Sequence, residues 1–441
     1  MKWTSILCLA PLVAASPLAA RDANPSYDGY HVYSVTPASA QEAHDLERRF
    51  SRYHTHPIRD SLSIAIPPED VAHFNTLGLN ARLLNTDLGS SIRSADKPST
   101  FNRALHKRGE LPDLSWFDTY HDYADHLTWW DDLAQAFPKN SEKLEIGKSY
   151  ENRSIHAFHL FGDEKESERK DKPVILWHAT VHAREWISTM VIEYLAYQLV
   201  DGYKSGDGNV TSFLDHYDFY LVPFHNPDGF LYTQTNDRLW RKNRQPRPSV
   251  NTTCLGTDGN RNWATEWAAE PPGGGSTPDP CGQTYRGLAP GDTPENQAMD
   301  GLSAKLGATP AGIRSFIDFH SYSQLILTPY GYSCDPLPET LPRMLEVANG
   351  TAQAIMAASE RGSIYDFGPG CQILYFSTGN SRDHHYVAHG AKHSWTMELS
   401  PQDAAGGWLR LATRGDLASS EGTVGRSIMD TEQCSGRLNW N

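Results

Sequence analysis

Pro173-Val-Ile-Leu-Trp-His-Ala-Thr-Val-His-Ala-Arg-Glu-Trp186 is the stretch on which the reading of the fold turns. Pro173 to Ala179 is a near-continuous apolar run of the kind buried on both faces of a sheet. Beyond Trp186, apolar residues recur at helical spacing: Ile187, Met190, Val191, Tyr194, Leu195 and Leu199. Phe219 to Phe224 and Ser315 to Phe319 read as further buried strands, with Leu144 to Gly147 and Ser154 to Leu160 ahead of them. Strands followed by helices predict one large α/β domain over 109–441. Its sheet is expected to be mixed but mostly parallel, flanked by helices. Ligands gather where such strands end, and His182, Asn226 and His320 all follow apolar strands.

Upstream the pattern changes. Tyr30 to Val35 and Ser61 to Ile66 alternate as strands, Ala81 to Asn85 reads as a third, and 39–50 and 68–77 have helical composition. This predicts a small α+β unit over 21–108, closed by a polar, Ser-rich linker from Gly89 to Asn102 and the dibasic pair Lys107-Arg108. Such a pair in an exposed linker is a natural cut for a processing protease. Residues 1–20 join one Lys to a short apolar stretch and small residues, the make-up of a secretory signal. No later segment approaches the roughly 20 apolar residues that a membrane span requires.

The chain has 441 residues, 39% hydrophobic and 21% charged, enough for a large core. A net charge of −14 argues against nucleic acid or an anionic membrane as partner. A secreted, extracellular, monomeric protein is expected. Of six cysteines, Cys8 falls in the signal. Nearest-neighbour pairing of the rest gives Cys254 with Cys281 and Cys334 with Cys371, and leaves Cys434 over. Sequons at Asn152, Asn209, Asn251 and Asn349 suit the same compartment.

His182 and Glu185 are three apart, which puts both side chains on one face of a turn. The spacing alone says little, because His44 and Glu47 repeat it where nothing converges. His320, at another strand end, completes a His, His, Glu set with an open position, a recognised catalytic zinc set. Asp258 could orient one imidazole through its other nitrogen. Arg184, Arg241 and Arg261 lie in the same segments beside tryptophans, and semi-buried arginines need an anion. Glu398, at the end of an apolar strand, requires a partner or a task, and in a metal hydrolase the task is proton transfer.

With Asn226-Pro-Asp-Gly-Phe230, Asp258 to Trp263, Asp318 to Ser323 and Ile373 to Asn380, the chain from Leu111 onward resembles the secreted zinc metallocarboxypeptidases of the pancreatic carboxypeptidase A/B type. The resemblance implies one zinc per chain, held by His182, Glu185 and His320. It implies Glu398 as general base and Arg241 as the group that stabilises the oxyanion. Asn260 and Arg261 become the clamp on the substrate's terminal carboxylate, Tyr375 the tyrosine that closes over it, and Arg184 and Tyr322 subsite residues. Residues 21–108 resemble the family's inhibitory propeptide, and both cysteine pairs occur as disulfides within the family. Substrates would be peptides or proteins with a free C-terminus. Arg382 stands at the specificity position, where a guanidinium implies acidic C-terminal residues. Asn380 replaces a usual glycine, and Gly406-Gly-Trp408 departs from the usual Tyr-Gly-Phe. A non-cleaving relative is the alternative, as is a zinc esterase or amidase acting on another acid.

Overall fold

The computed structural model describes residues 26–50, 53–58, 61–95, 109–163, 172–251, 253–272, 274–359 and 362–400. The signal segment, Lys107-Arg108, Gly406-Gly-Trp408, Cys8 and Cys434 lie outside the described residues. Two separate sheets follow the two sequence patterns. In the first unit β1 (His31–Val35), β2 (His54–Ile58), β3 (Ser61–Ile66) and β4 (Ala81–Asn85) form an antiparallel sheet in the order β2-β3-β1-β4. Tyr33, Val35, Leu62, Ile64 and Ile66 bury their side chains with Leu46 and Phe74 from two helices, Ala40–Arg49 and Pro68–Asn75, and with Phe50 just past the first.

One expectation needs correction here. The stretch from Gly89 does not begin as a linker: Leu88–Ala95 is a helix. Leu88 is buried and Ile92 packs beside it against Tyr27, Val32 and Ala65. One apolar residue per turn suffices to dock a short helix, and the surrounding serines hide that pattern in the sequence.

The large sheet comprises β5 (Ser141–Lys148), β6 (Ser154–Leu160), β7 (Val174–Ala179), β8 (Asp218–Val222), β9 (Ile313–Ser321), β10 (Leu325–Thr328), β11 (Asp366–Pro369) and β12 (His393–Leu399). Their order is β11-β10-β12-β9-β7-β8-β6-β5. The four central strands β12, β9, β7 and β8 run parallel, and antiparallel pairings flank them, as a mixed, mostly parallel sheet requires. Every residue of β7 is buried. Ile175, Trp177 and Ala179 meet the helix Trp186–Ser205 on one face; Val174 and Leu176 meet Met299 and Leu302 on the other. That two-sided burial is why an unbroken apolar run, rather than an alternating one, encodes the strand.

The chain lays β8 on one side of β7 and then returns to place β9 on its other side. This reversal opens a crevice at the carboxyl ends of β7 and β9, where open α/β sheets bind their ligands. His182 lies just beyond β7, and His320 in the last two residues of β9. The β9–β12 register pairs His320 with Glu398, so backbone hydrogen bonding alone sets those side chains on adjacent strands. Cys254–Cys281 and Cys334–Cys371 are disulfides, as nearest-neighbour pairing anticipates.

Gly379 ties the crevice together. Its φ is +58°, and its carbonyl accepts from the Trp263 amide at 3.0 Å. A Cβ there would meet the Arg261 carbonyl oxygen at 2.5 Å. Gly379→Ala is therefore expected to cost about 1–3 kcal/mol in denaturant unfolding, through backbone strain and the pushed contact. An unchanged unfolding midpoint would contradict this tight approach.

Candidate metal centre and active-site pocket

Three donors converge at the crevice. His182 Nδ1 lies 2.8 Å from Glu185 Oε1, His320 Nδ1 lies 2.9 Å from Glu185 Oε2, and the two Nδ1 atoms are 3.0 Å apart. All three residues are buried. Local backbone explains the placing: His182 sits in the turn between β7 and the helix Trp186–Ser205, and Glu185 is that helix's N-cap residue. Burial opposes the Glu185 charge, but the His182 and His320 imidazoles outweigh it and hold the carboxyl well below the usual carboxylate range.

The far side of each imidazole faces a buried carboxylate. His182 Nε2 lies 3.1 Å from Asp258 Oδ1, and His320 Nε2 lies 2.8 Å from Asp318 Oδ2. An Nε2–H directed at a carboxylate turns the Nδ1 lone pair inward, the usual orientation of a metal-binding histidine. Ligands about 2.0 Å from a tetrahedral zinc stand about 3.3 Å apart, close to the separations seen. The donor set fits zinc.

Asp258 organises more than His182. Its oxygens also accept from Arg241 Nη2 at 2.8 Å, Arg241 Nε at 3.2 Å and the Asn260 amide at 2.9 Å. Burial works against its ionisation, yet Arg241 and His182 keep the carboxyl well below its ordinary range. Asp318 is the residue that sequence reasoning passed over. It accepts from Ser381 Oγ as well as facing His320. Its position two residues before His320 in a strand puts both on one face, and that period-two spacing was the available clue.

One pocket is lined by His182, Glu185, Arg241, Asn260, Arg261, Tyr375, Arg382 and Glu398, together with Leu327, Leu374, Ser377, Asn380 and Thr396. Arg184 and Tyr322 are buried but are not among its lining residues. Arg184 Nη1 donates instead to the Leu239 carbonyl at 3.4 Å. Arg261 donates to the Asn260 carbonyl at 2.8 Å and to Tyr375 Oη at 3.4 Å. Arg261 Nε, Arg382 Nε and Glu398 Oε2 are buried without a hydrogen-bond partner among the described residues. Orphaned buried polar atoms are costly, and here three of them line a single pocket. Burial, countered by His320 and reinforced by Glu185, pushes the Glu398 carboxyl up to about 8.

The Arg382 guanidinium runs between Gly331 and Gly370, where a Cβ on either would strike it. Its Nη2 donates to Ser377 Oγ at 3.1 Å, and its Nε is 3.5 Å from Asp383 Oδ1. Asp383 is committed elsewhere too, accepting from the Gly331 amide at 2.8 Å and Asn380 Nδ2 at 2.7 Å. Asn380 caps the helix Ser381–His389 through the Asp383 amide, a role for which a short polar side chain is favoured over glycine.

A family profile described as zinc carboxypeptidase matches residues 126–411. The chain is 38% identical to metallocarboxypeptidase A of Trichophyton rubrum over 411 residues, covering 91% of this chain and 93% of that protein. It is 34% identical to mouse carboxypeptidase A4 over 324 residues, covering 73% and 71% of the two chains. Among solved structures it resembles thrombin activatable fibrinolysis inhibitor, with a TM-score of 0.78 at 26% identity over 92% of this chain and 99% of that one.

Replacing Asp258 tests how far the centre leans on it. In Asp258→Asn the buried Arg241 loses its counter-charge, and unfolding stability should fall by about 3–5 kcal/mol. Zinc retention should weaken about 10- to 100-fold. Metal content after dialysis and denaturant unfolding measure the two effects. Wild-type values for both would remove Asp258 from this role.

Proposed function

The chain belongs to the zinc carboxypeptidase family, and we propose that within it this protein releases single C-terminal residues from peptides, is made in a latent form, and prefers acidic termini. The observation that supports the reading best is the pocket at the carboxyl ends of β7 and β9. It joins His182 and Glu185, with His320 Nδ1 within 3.0 Å of both behind them, to the Glu398 carboxyl and to arginine nitrogens that have no hydrogen-bond partner.

In this reading His182, Glu185 and His320 hold the zinc, which when bound polarises a carbonyl and lowers the pKa of a bound water toward about 7. Asn260 and Arg261 grip the substrate's terminal carboxylate, with Tyr375 closing beside Arg261; a guanidinium suits that task because it can donate two parallel hydrogen bonds. Gripping the terminus fixes the last peptide bond at the centre and leaves internal bonds out of reach. Glu398 accepts the proton of the attacking water and passes it to the leaving amine. Arg241, held rigid by Asp258, faces the oxyanion as charge develops, a contribution typically of about 100- to 1,000-fold in rate. Arg184 and Tyr322 serve the substrate further from the scissile bond.

Latency is supported by the contact between the two units. Tyr27 Oη donates to Asp237, and Leu239 is fully buried among Tyr27, Val32, Ala65 and Leu88 of the first unit. Leu239 is two residues from Arg241. A signal over 1–20, secretion, a propeptide over 21–108 and cleavage by a processing protease after Lys107-Arg108 complete the proposal. The catalytic part would act as a monomer. The full chain should release almost no amino acid from a peptide, the form trimmed after Arg108 should release it, and a chelator should abolish that activity. A precursor as fast as its trimmed form would refute latency.

Acidic preference is supported by Arg382 in the pocket lining, where Asp383, 3.5 Å from its Nε, is shared with the Gly331 amide and Asn380. A buried guanidinium favours a carboxylate partner over a neutral one. For peptides alike except at the terminus, kcat/KM should be higher for Glu than for Phe or Lys. Arg382→Ile should reverse the order of Glu and Phe. Faster removal of Phe by the wild type would defeat the assignment.

A further inference from the structure

A second convergence of metal-type donors lies outside the pocket. Asp300 belongs to the helix Pro294–Gly307, and His384 and His389 to the helix Ser381–His389 that packs against it. His384 Nε2 is 2.8 Å and His389 Nε2 2.7 Å from the same oxygen, Asp300 Oδ1. The three donor atoms all lie within 4.8 Å of one another. The two histidine side chains are only 6% and 9% exposed, whereas Asp300 is 47% exposed. The rings are therefore fixed by their surroundings, while the carboxylate lies open to solvent and can shift.

Each component suits an ion. The imidazole planes stand at 86° with centroids 5.0 Å apart, so their Nε2 atoms meet at a corner rather than stacking past one another. His384 Nδ1 lies 2.9 Å from Thr265 Oγ1 and 3.4 Å from the Thr265 amide nitrogen; an ion taking the place of the Nε2 proton would leave the ring proton on Nδ1, where Oγ1 can accept it. Two imidazoles and one carboxylate select a borderline divalent transition ion, because calcium and magnesium ask for oxygen ligands. We propose that Asp300, His384 and His389 form a second, non-catalytic zinc-type site. Water would fill its open positions, and a bound ion would staple the helix bearing Arg382 to its neighbour.

The competing account is a plain ion-paired contact between two helices. The test uses the full chain, prepared without a polyhistidine tag and loaded with one zinc per molecule. It is titrated with further zinc chloride in a calorimeter, and its melting temperature is followed with and without the added zinc. The wild type should take up a second equivalent and melt higher with zinc, since an ion that binds only the folded state stabilises it. His389→Ala and Asp300→Asn should keep the first zinc and lose both the second binding event and the zinc-dependent rise. Glu398→Gln should retain the second event, which separates it from excess zinc entering the pocket. Absence of a second event in the wild type, or its survival in either His389→Ala or Asp300→Asn, would overturn the assignment.

Discussion

One buried carboxylate, Asp258, holds the pocket in register. It faces the His182 imidazole, takes two hydrogen bonds from the Arg241 guanidinium, and accepts the Asn260 amide. These neighbours come from three separate stretches of chain, and no one of them could be moved without unpairing the others. A lone buried carboxylate would be expensive, as would a lone buried guanidinium. Together they satisfy one another and leave the outward faces of His182, Arg241 and Asn260 directed into a shared space. Rigidity of this kind matters for chemistry, because donors already oriented need not reorganise as charge develops.

The sheet supplies the second constraint. His182, His320 and Glu398 come from the ends of three neighbouring parallel strands, which backbone hydrogen bonds hold in fixed register. His320 and Glu398 are direct partners across β9 and β12. A one-residue slip in that register would turn either side chain to the opposite face. The hydrophobic packing of β7 and β9 on both sides resists such a slip, so the core that stabilises the fold also fixes the spacing of these three side chains.

Much of this was legible in sequence because burial on both faces leaves a near-continuous apolar run, as in β7, and β9 keeps Phe316, Ile317 and Phe319 around Asp318. His182, Glu185 and His320 could be picked out because each follows or ends one. Asp318 was harder to single out, because its only mark in the linear pattern is its period-two spacing from His320. The helix Leu88–Ala95 escaped because its apolar face is two residues wide. Leu327 and Thr396 enter the pocket from β10 and β12 through sheet pairing alone, and pairing order is a property of the whole topology. Asn380 could be seen as a departure from glycine, but its capping bonds depend on where the next helix begins.

Leu239 carries a consequence for the protein's surface chemistry. It is wholly shielded in the full chain, yet its cover of Tyr27, Val32, Ala65 and Leu88 belongs entirely to the first unit. Detaching that unit would leave a leucine, flanked by the ring of Trp240, facing water beside the arginines of the cleft. A freshly bared apolar patch is a sticky one. A form lacking residues 21–108 would thus carry a hydrophobic ledge on which another polypeptide could rest.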